Sequence, residues 1–125
     1  MNEYKKNYDQ WEDDEDGLPK IISTEEILAN LPPLPDEVVR GVVRQGHKMM
    51  ISGASKSGKS FLLIELAIAL AEGHKWLGFK CRKSKVIYIN LEIDRSSLIH
   101  RFINIYKALA VEPINAHSIT IWNLR

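Results

Sequence analysis

The order of hydrophobic and polar positions predicts strands alternating with helices over residues 48–125. An apolar run at 48–52 has the length of a buried strand, and residues 61–71 are apolar nearly all round, as in a helix covered by other elements. The β-branched and aromatic run 86–91 is typical of a strand covered on both faces, and 118–122 predicts a further strand. Because the connections are too long for hairpins, the pattern predicts a parallel α/β sheet with ligands bound beyond the carboxyl ends of its strands.

Upstream of this alternation the pattern predicts a lead-in segment. Ser23 and Glu26 have the spacing of a capping box, so we expect a short helix over 24–30, ended by the proline-rich stretch that follows it. Residues 38–43 are β-prone and predict one extended segment, and the polar residues 44–47 predict a turn before the first central strand.

The first 22 residues differ in composition from the rest of the chain. Residues 1–20 hold seven acids against three lysines and few apolar side chains, which predicts a solvated, disordered acidic tail. The functional alternative is that the acidic tail attracts a binding partner or takes the place of DNA at a DNA-binding site. The predicted organisation is therefore a tail at 1–22, a lead-in at 23–47 and an α/β domain at 48–125.

The connection at 74–85 combines aromatic and basic side chains. Its aromatic residues are Trp76 and Phe79, and its cations are Lys75, Lys80, Arg82, Lys83 and Lys85. Aromatics interleaved with cations could mark a nucleic-acid surface. The interpretation we favour is that Trp76 and Phe79 fold the loop onto the preceding helix while the cations are solvated.

Composition narrows the class of protein without naming a partner. The chain has 125 residues, 45% of them hydrophobic and 26% charged, which fits one globular domain, and its formal net charge of +1 does not require a nucleic-acid partner. The single Cys81 excludes an intramolecular disulfide, and no apolar run reaches the roughly 18 residues of a membrane span. Without a secretory pattern at the N-terminus, we expect a cytoplasmic protein with no membrane association.

The most specific pattern lies between the predicted strand at 48–52 and the predicted helix. Residues 53–60 fit the phosphate-loop pattern G-x-x-x-x-G-K-[ST], so the predicted nucleotide-binding residues are Gly53, Ala54, Ser55, Lys56, Ser57, Gly58, Lys59 and Ser60. The glycines let backbone amides cradle phosphate oxygens, Lys59 bridges the β and γ phosphates, and the Ser60 hydroxyl coordinates Mg²⁺. The predicted ligand is a nucleoside triphosphate with magnesium, and Lys56 is expected to be an exposed loop cation.

Hydrolysis of such a ligand also needs a group that orients or deprotonates water. Glu92 is the best candidate, because a strand at 86–91 lying beside 48–52 would end at the same edge as the loop. The alternative is a strand-end acid that caps a helix or pairs with Arg95. Asp94 is expected to cap the next helix, whose apolar stripe comprises Leu98, Phe102, Ile105 or Tyr106, and Leu109.

The loop, the Gly-His-Lys-Trp-Leu-Gly connection and Val-Ile-Tyr-Ile-Asn-Leu-Glu together resemble RecA-like ATPases related to the hexameric RepA-type replicative helicases of plasmids and other mobile elements. The resemblance covers residues 31–125. It implies a three-layer P-loop NTPase fold, ATP and Mg²⁺ as cofactors, Glu92 as catalytic base, and single-stranded DNA and a homo-hexamer as partners in the complete protein. Arg101-Phe102 resembles an arginine common in the following helix, without an assigned role.

The chain also departs from that family. Ile93 stands where a second acid often follows Glu92, and the strand at 118–122 ends without the aspartate of the second magnesium site. We therefore expect the N-terminal half of such a domain, with weak triphosphate binding and little hydrolysis by the chain alone. The alternatives are a small-molecule P-loop kinase and a nucleotide-binding regulatory fragment without turnover.

Overall fold

The computed structural model describes residues 15–125, so most of the predicted acidic tail lies outside the described residues. The chain divides into two compact units, Met1–Asp36 and Glu37–Arg125. Within residues 15–125, no helix combines the length and apolar character that a membrane crossing requires. The domain boundaries expected at residues 22 and 47 stay predictions.

The first unit contains helix α1, Thr24–Ala29. Ser23 Oγ accepts a hydrogen bond from the Glu26 amide at 3.2 Å, and the Ser23 amide donates to Glu26 Oε2 at 3.1 Å. This reciprocal pair is the predicted capping box. It satisfies two amides that a helix start would otherwise leave without an internal partner.

The second unit begins with strands β1, Glu37–Val39, and β2, Val43–Arg44, which pair antiparallel. The prediction of one extended segment over 38–43 was wrong, because the chain reverses between the two strands. Gly41 stands in this reversal with a φ of 76°, a left-handed conformation that glycine adopts at little cost.

Helix α2, Lys59–Glu72, carries much of the core. It ends at Gly73, whose left-handed φ of 71° fits the predicted glycine cap. Its buried side chains Ile64 and Ile68 pack with residues of helix α3, Arg95–Ala108. From the predicted stripe of α3, Leu98, Phe102 and Ile105 are buried. Leu109 follows the last helical turn and is 41% exposed, so its assignment to the stripe was wrong.

A short hairpin follows α2, with strands β3, Lys75–Trp76, and β4, Phe79–Lys80. Leu77 and Gly78 form its two-residue turn, both with positive φ. Trp76 is buried, and its indole N–H donates to the Leu62 carbonyl of α2 at 3.1 Å. The favoured interpretation is thus correct for Trp76, which holds the loop on the helix, whereas Phe79 remains 43% exposed.

Strands β5, Val86–Asn90, and β6, Ile119–Asn123, pair in parallel, with α3 in the crossover between them. The predicted strand–helix–strand unit is therefore present. One face of β5 packs on the core through Val86 and Tyr88, but Ile87 and Ile89 are 69% and 53% exposed. The expectation that both faces would be covered was wrong, because α2 and α3 pack on one face only.

The predicted central strand at 48–52 does not form in the structure. The sheets among residues 15–125 have two strands each, and none of them includes residues 48–52. A strand needs a hydrogen-bonded neighbour, and residues 48–52 do not pair with β5, although β6 occupies only one of its two edges. Of the expected three-layer architecture, residues 15–125 therefore contain one parallel pair of strands with helices on one of its faces.

Candidate functional site

The loop at 53–60 wraps around the side chain of Lys59, the first residue of α2. Lys59 Nζ donates to the Gly53 carbonyl at 2.8 Å and to the Ala54 carbonyl at 2.7 Å. Ser57 Oγ lies 3.4 Å from the same ammonium group. The carbonyl groups of the loop therefore hold the Lys59 ammonium group in the loop. An anion bound by the loop would lie beside this positive charge.

The two glycines of the pattern are required for different structural reasons. Gly58 has a φ of 86° directly before α2, a conformation that side chains other than glycine rarely adopt. Gly53 has no such strain, but a Cβ there would lie 2.9 Å from Ser57 Oγ, closer than real contacts allow. Lys56 is exposed, as predicted, and has an unusual φ of 61°. Such conformations often mark functional loops.

The N-terminus of α2 has no capping side chain. Gly58 occupies the cap position and cannot supply one, and the first turn contains no acidic residue. The first amides of a helix lack internal partners and carry the positive end of its dipole. Together with Lys59, they make this end of a 14-residue helix suited to phosphate oxygens.

Glu92 follows β5 in the chain and lies beside the loop. Its Oε2 is 3.5 Å from Ser60 Oγ, which is at the outer limit of a hydrogen bond. Both residues line one cavity of about 660 Å³ together with the phosphate loop. The predicted route was wrong, since β5 does not pair with 48–52, yet the predicted meeting of Glu92 with the loop is present.

Asn90 holds the turn that presents Glu92, and the sequence analysis did not single it out. It is buried, its side-chain amide donates to the Ile93 carbonyl at 2.6 Å, and its Oδ1 accepts from the Glu92 amide at 3.3 Å. The side-chain amide of Asn90 also donates to Oδ1 of Asn123, which is the paired position of β6. The sequence signal that could have identified Asn90 is its position, as an amide side chain at the end of an otherwise apolar strand.

Arg101 and Tyr88 line the same cavity from α3 and β5. The Arg101 guanidinium lies 5.2 Å from the centre of the Phe61 ring, within the range of a cation–π contact. Burial raises the pKa of Tyr88, the negative charge of Glu92 raises it further, and the positive charge of Arg101 lowers it. The pKa of Tyr88 on this side of the cavity is therefore affected by the charges of both Glu92 and Arg101.

Asp94 caps α3, as predicted. Its carboxylate accepts from the Ser97 hydroxyl at 2.6 Å and from the Ser97 amide at 2.9 Å. These two hydrogen bonds hold the pKa of Asp94 below its ordinary value. Asp94 is therefore engaged at the helix start rather than with the phosphate loop.

Ser60 Oγ is an oxygen donor at the start of α2 that suits a hard cation, and Glu92 Oε2 lies 3.5 Å from it. Mg²⁺ prefers hydroxyl, carboxylate and phosphate oxygens, and it commonly takes only one or two ligands from the protein. Among residues 15–125 there is no cluster of three or more histidine, cysteine or acidic side chains that could hold a metal without a ligand's help. The donor set thus fits a magnesium ion that arrives with phosphates.

A comparison with protein families finds a match to a family described as an AAA domain over residues 14–120. This stretch contains the phosphate loop, Glu92, the whole of β5 and the first two residues of β6. No curated protein and no solved structure matched the chain in the corresponding comparisons.

Proposed function

The chain belongs to the AAA domain family of P-loop ATPases, and on that basis we propose that it binds ATP with Mg²⁺ at residues 53–60 and that Glu92 supports hydrolysis of the ATP in the complete protein. Family membership supports a nucleotide-binding ATPase module. The observation that carries the assignment of residues is the 3.5 Å separation between Ser60 Oγ and Glu92 Oε2.

In this proposal the loop binds the triphosphate mainly through backbone amides. The amides at the start of α2 would donate to phosphate oxygens, and the Lys59 ammonium would exchange its contacts with the Gly53 and Ala54 carbonyls for phosphate oxygens. Mg²⁺, when bound, neutralises phosphate charge, and the Ser60 hydroxyl would hold it there. The binding energy is thus largely independent of the nucleotide base.

Glu92 would act on the attacking water. Its carboxylate accepts a hydrogen bond from that water and orients its oxygen toward the γ phosphorus. As the new oxygen–phosphorus bond forms, the bond from the γ phosphorus to the bridging oxygen breaks and ADP leaves. The proton passes to the Glu92 carboxylate and then to the released phosphate. Asn90 positions the carboxylate by holding the turn.

We also propose that ATP turnover serves a DNA-associated, helicase-like activity in the complete protein, with single-stranded DNA and further copies of the chain as partners. The resemblance of the loop, the connection after α2 and the Glu92 strand to RepA-type helicases supports this. DNA replication of a mobile element is the process that the same resemblance suggests.

The direct test measures ATP binding and ATP hydrolysis separately. Binding is followed by the fluorescence of an ATP carrying an N-methylanthraniloyl label on its ribose, with Mg²⁺ and then with EDTA. We expect saturable binding that unlabelled ATP displaces and that EDTA weakens. Absence of binding in a folded chain would refute the nucleotide site.

The proposed DNA association is tested in the longest soluble form of the protein, by measuring phosphate release with and without oligo(dT). Stimulation by the oligonucleotide supports a DNA-associated ATPase. Transfer of the γ phosphate to a sugar or nucleoside, with no response to DNA, contradicts it and favours a kinase.

A further inference from the structure

Three cations from three neighbouring backbone segments stand side by side in the second unit. Lys75 and Lys80 are directly opposite each other in the hairpin of β3 and β4. On the other side of β4, Val39 bridges Cys81, and the Arg40 amide donates to the Lys80 carbonyl at 2.9 Å. This antiparallel register puts Arg40 opposite Lys80, and we name Arg40, Lys80 and Lys75 the basic row.

The basic row is the solvent side of this small sheet. Side chains alternate between faces along a strand, so the neighbours of the row point the other way. Those neighbours, Val39, Cys81 and Trp76, belong to one apolar cluster, in which Val39 and Trp76 are buried. All three cations of the row are exposed.

Like charges placed directly opposite on neighbouring strands destabilise a sheet. Neighbouring strands lie about 5 Å apart, so the row holds three positive charges within roughly 10 Å. The segments 37–44 and 74–85 contain one acid, Glu37. Glu37 Oε1 already accepts from Arg44 and from the Gly41 amide, both at 3.2 Å. A bound anion with regularly spaced charges would relieve the repulsion.

We propose that the basic row binds the phosphodiester backbone of single-stranded nucleic acid. Leu77, at the turn of the hairpin, is 60% exposed and offers an apolar surface against which an unstacked base can lie, whereas Phe79 is on the Trp76 side of the sheet. An acidic protein segment would also match the charge, and competition with polyglutamate tests that occupant. The inference rests on the proposed DNA association and assigns it a surface distinct from the phosphate loop.

The hairpin is also attached to the nucleotide-binding helix. Trp76, the neighbour of Lys75, donates its indole N–H to Leu62, two residues after Ser60 of the phosphate loop. The row therefore stands on an element anchored at the beginning of α2. This attachment makes the row a surface whose position depends on the same helix that carries the loop.

The test is fluorescence anisotropy of a labelled oligo(dT) of about 20 nucleotides, without ATP, between about 50 and 200 mM salt. The row variant is Lys75→Gln with Lys80→Gln, and the matched control is Lys20→Gln with Lys107→Gln, which removes two exposed lysines elsewhere. Thermal unfolding shows that both variants are folded.

We expect the row variant to weaken oligonucleotide binding about tenfold at the lowest salt and to reduce the slope of log K against log salt by about 1.4, since each lost phosphate contact accounts for about 0.7. The control should stay within about twofold of the wild type. Equal effects in both variants would overturn the assignment of the row while leaving DNA association intact.

Two further outcomes separate the inference from the proposed function. Displacement of the oligonucleotide by polyglutamate as readily as by unlabelled oligo(dT) would overturn a nucleic-acid occupant. A wild-type chain that binds no oligonucleotide at low salt would overturn both the row and the DNA association. ATP binding is judged in its own assay, and Lys59→Ala should weaken that binding strongly without changing the affinity for oligo(dT).

Discussion

Ser60 Oγ and Glu92 Oε2 lie 3.5 Å apart, although 32 residues separate the two in the chain. Ser60 stands in the first turn of α2, and Glu92 follows β5 after the chain has returned through the hairpin. The helix start and the strand end thus meet at one cavity. A hydroxyl suited to magnesium and a carboxylate suited to a water molecule are brought together there, between the lysine and the acid whose replacement is predicted below.

Replacing Lys59 by Ala should weaken ATP binding by at least about tenfold, because the loop loses the ammonium that would contact the phosphates; a charge-assisted hydrogen bond contributes about 1.5–3 kcal/mol. Titration with the labelled ATP measures the change. Lys56→Ala is the matched control, since Lys56 is an exposed lysine of the same loop. Equal losses in the two variants would indicate a general charge effect and contradict the specific role of Lys59.

In the longest soluble form of the protein, replacing Glu92 by Gln should leave ATP binding within about threefold and reduce hydrolysis by about 10²-fold or more, because glutamine keeps the shape of the side chain but cannot accept a proton. Single-turnover phosphate release measures the chemical step. Asp94→Asn is the control, since Asp94 caps α3 through Ser97. Full turnover by Glu92→Gln would show that another group serves as the base.

Replacing Gly53 by Ala should reduce ATP affinity through a steric effect, because the added Cβ would lie 2.9 Å from Ser57 Oγ. The loop must shift to accommodate it, and overpacking of this kind commonly costs about 1–3 kcal/mol. Adding Ser57→Ala removes the clashing oxygen and should restore part of the affinity. If the double variant binds ATP no better than Gly53→Ala, the clash is not the cause.

The sequence predicted the parts of the fold that depend on local chemistry. The phosphate loop and its glycines, the end of α2 at Gly73 and the cap of α3 by Asp94 each follow from a few neighbouring residues. The parallel pair of β5 and β6 was also predictable, since a helix-length crossover brings two apolar strands into the same direction.

The remaining features depend on contacts between distant residues. Residues 48–52 have a strand-like composition, but no local pattern reveals whether a neighbouring strand is present to pair with them. The importance of Asn90 appears only once its amide is seen to join the Glu92 turn to Asn123. Exposure of Ile87 and Ile89 likewise depends on which face the helices cover.

Glu72 connects three elements at the end of α2 opposite the phosphate loop. Its carboxylate accepts from the Tyr106 hydroxyl at 3.1 Å, from the Asn115 amide at 2.9 Å and from the Asn115 side chain at 3.0 Å. Burial raises the pKa of Glu72, but these hydrogen bonds lower it more, so its pKa lies below the ordinary value. The ionised carboxylate is therefore favoured more in the folded chain than in the unfolded one.

This difference predicts a pH dependence of stability. The contribution of Glu72 is complete above the pKa of an unfolded glutamate, about 4.3, and is lost as the pH falls through the lower folded value. Replacing Glu72 by Gln should reduce the free energy of unfolding by about 1 kcal/mol at neutral pH and by less near pH 3, where the wild-type carboxylate is partly protonated. Urea unfolding at both pH values measures this. Tyr106→Phe, which removes one of the donors, should show a smaller loss, and a wild-type advantage that is equal at both pH values would contradict a role for the carboxylate charge.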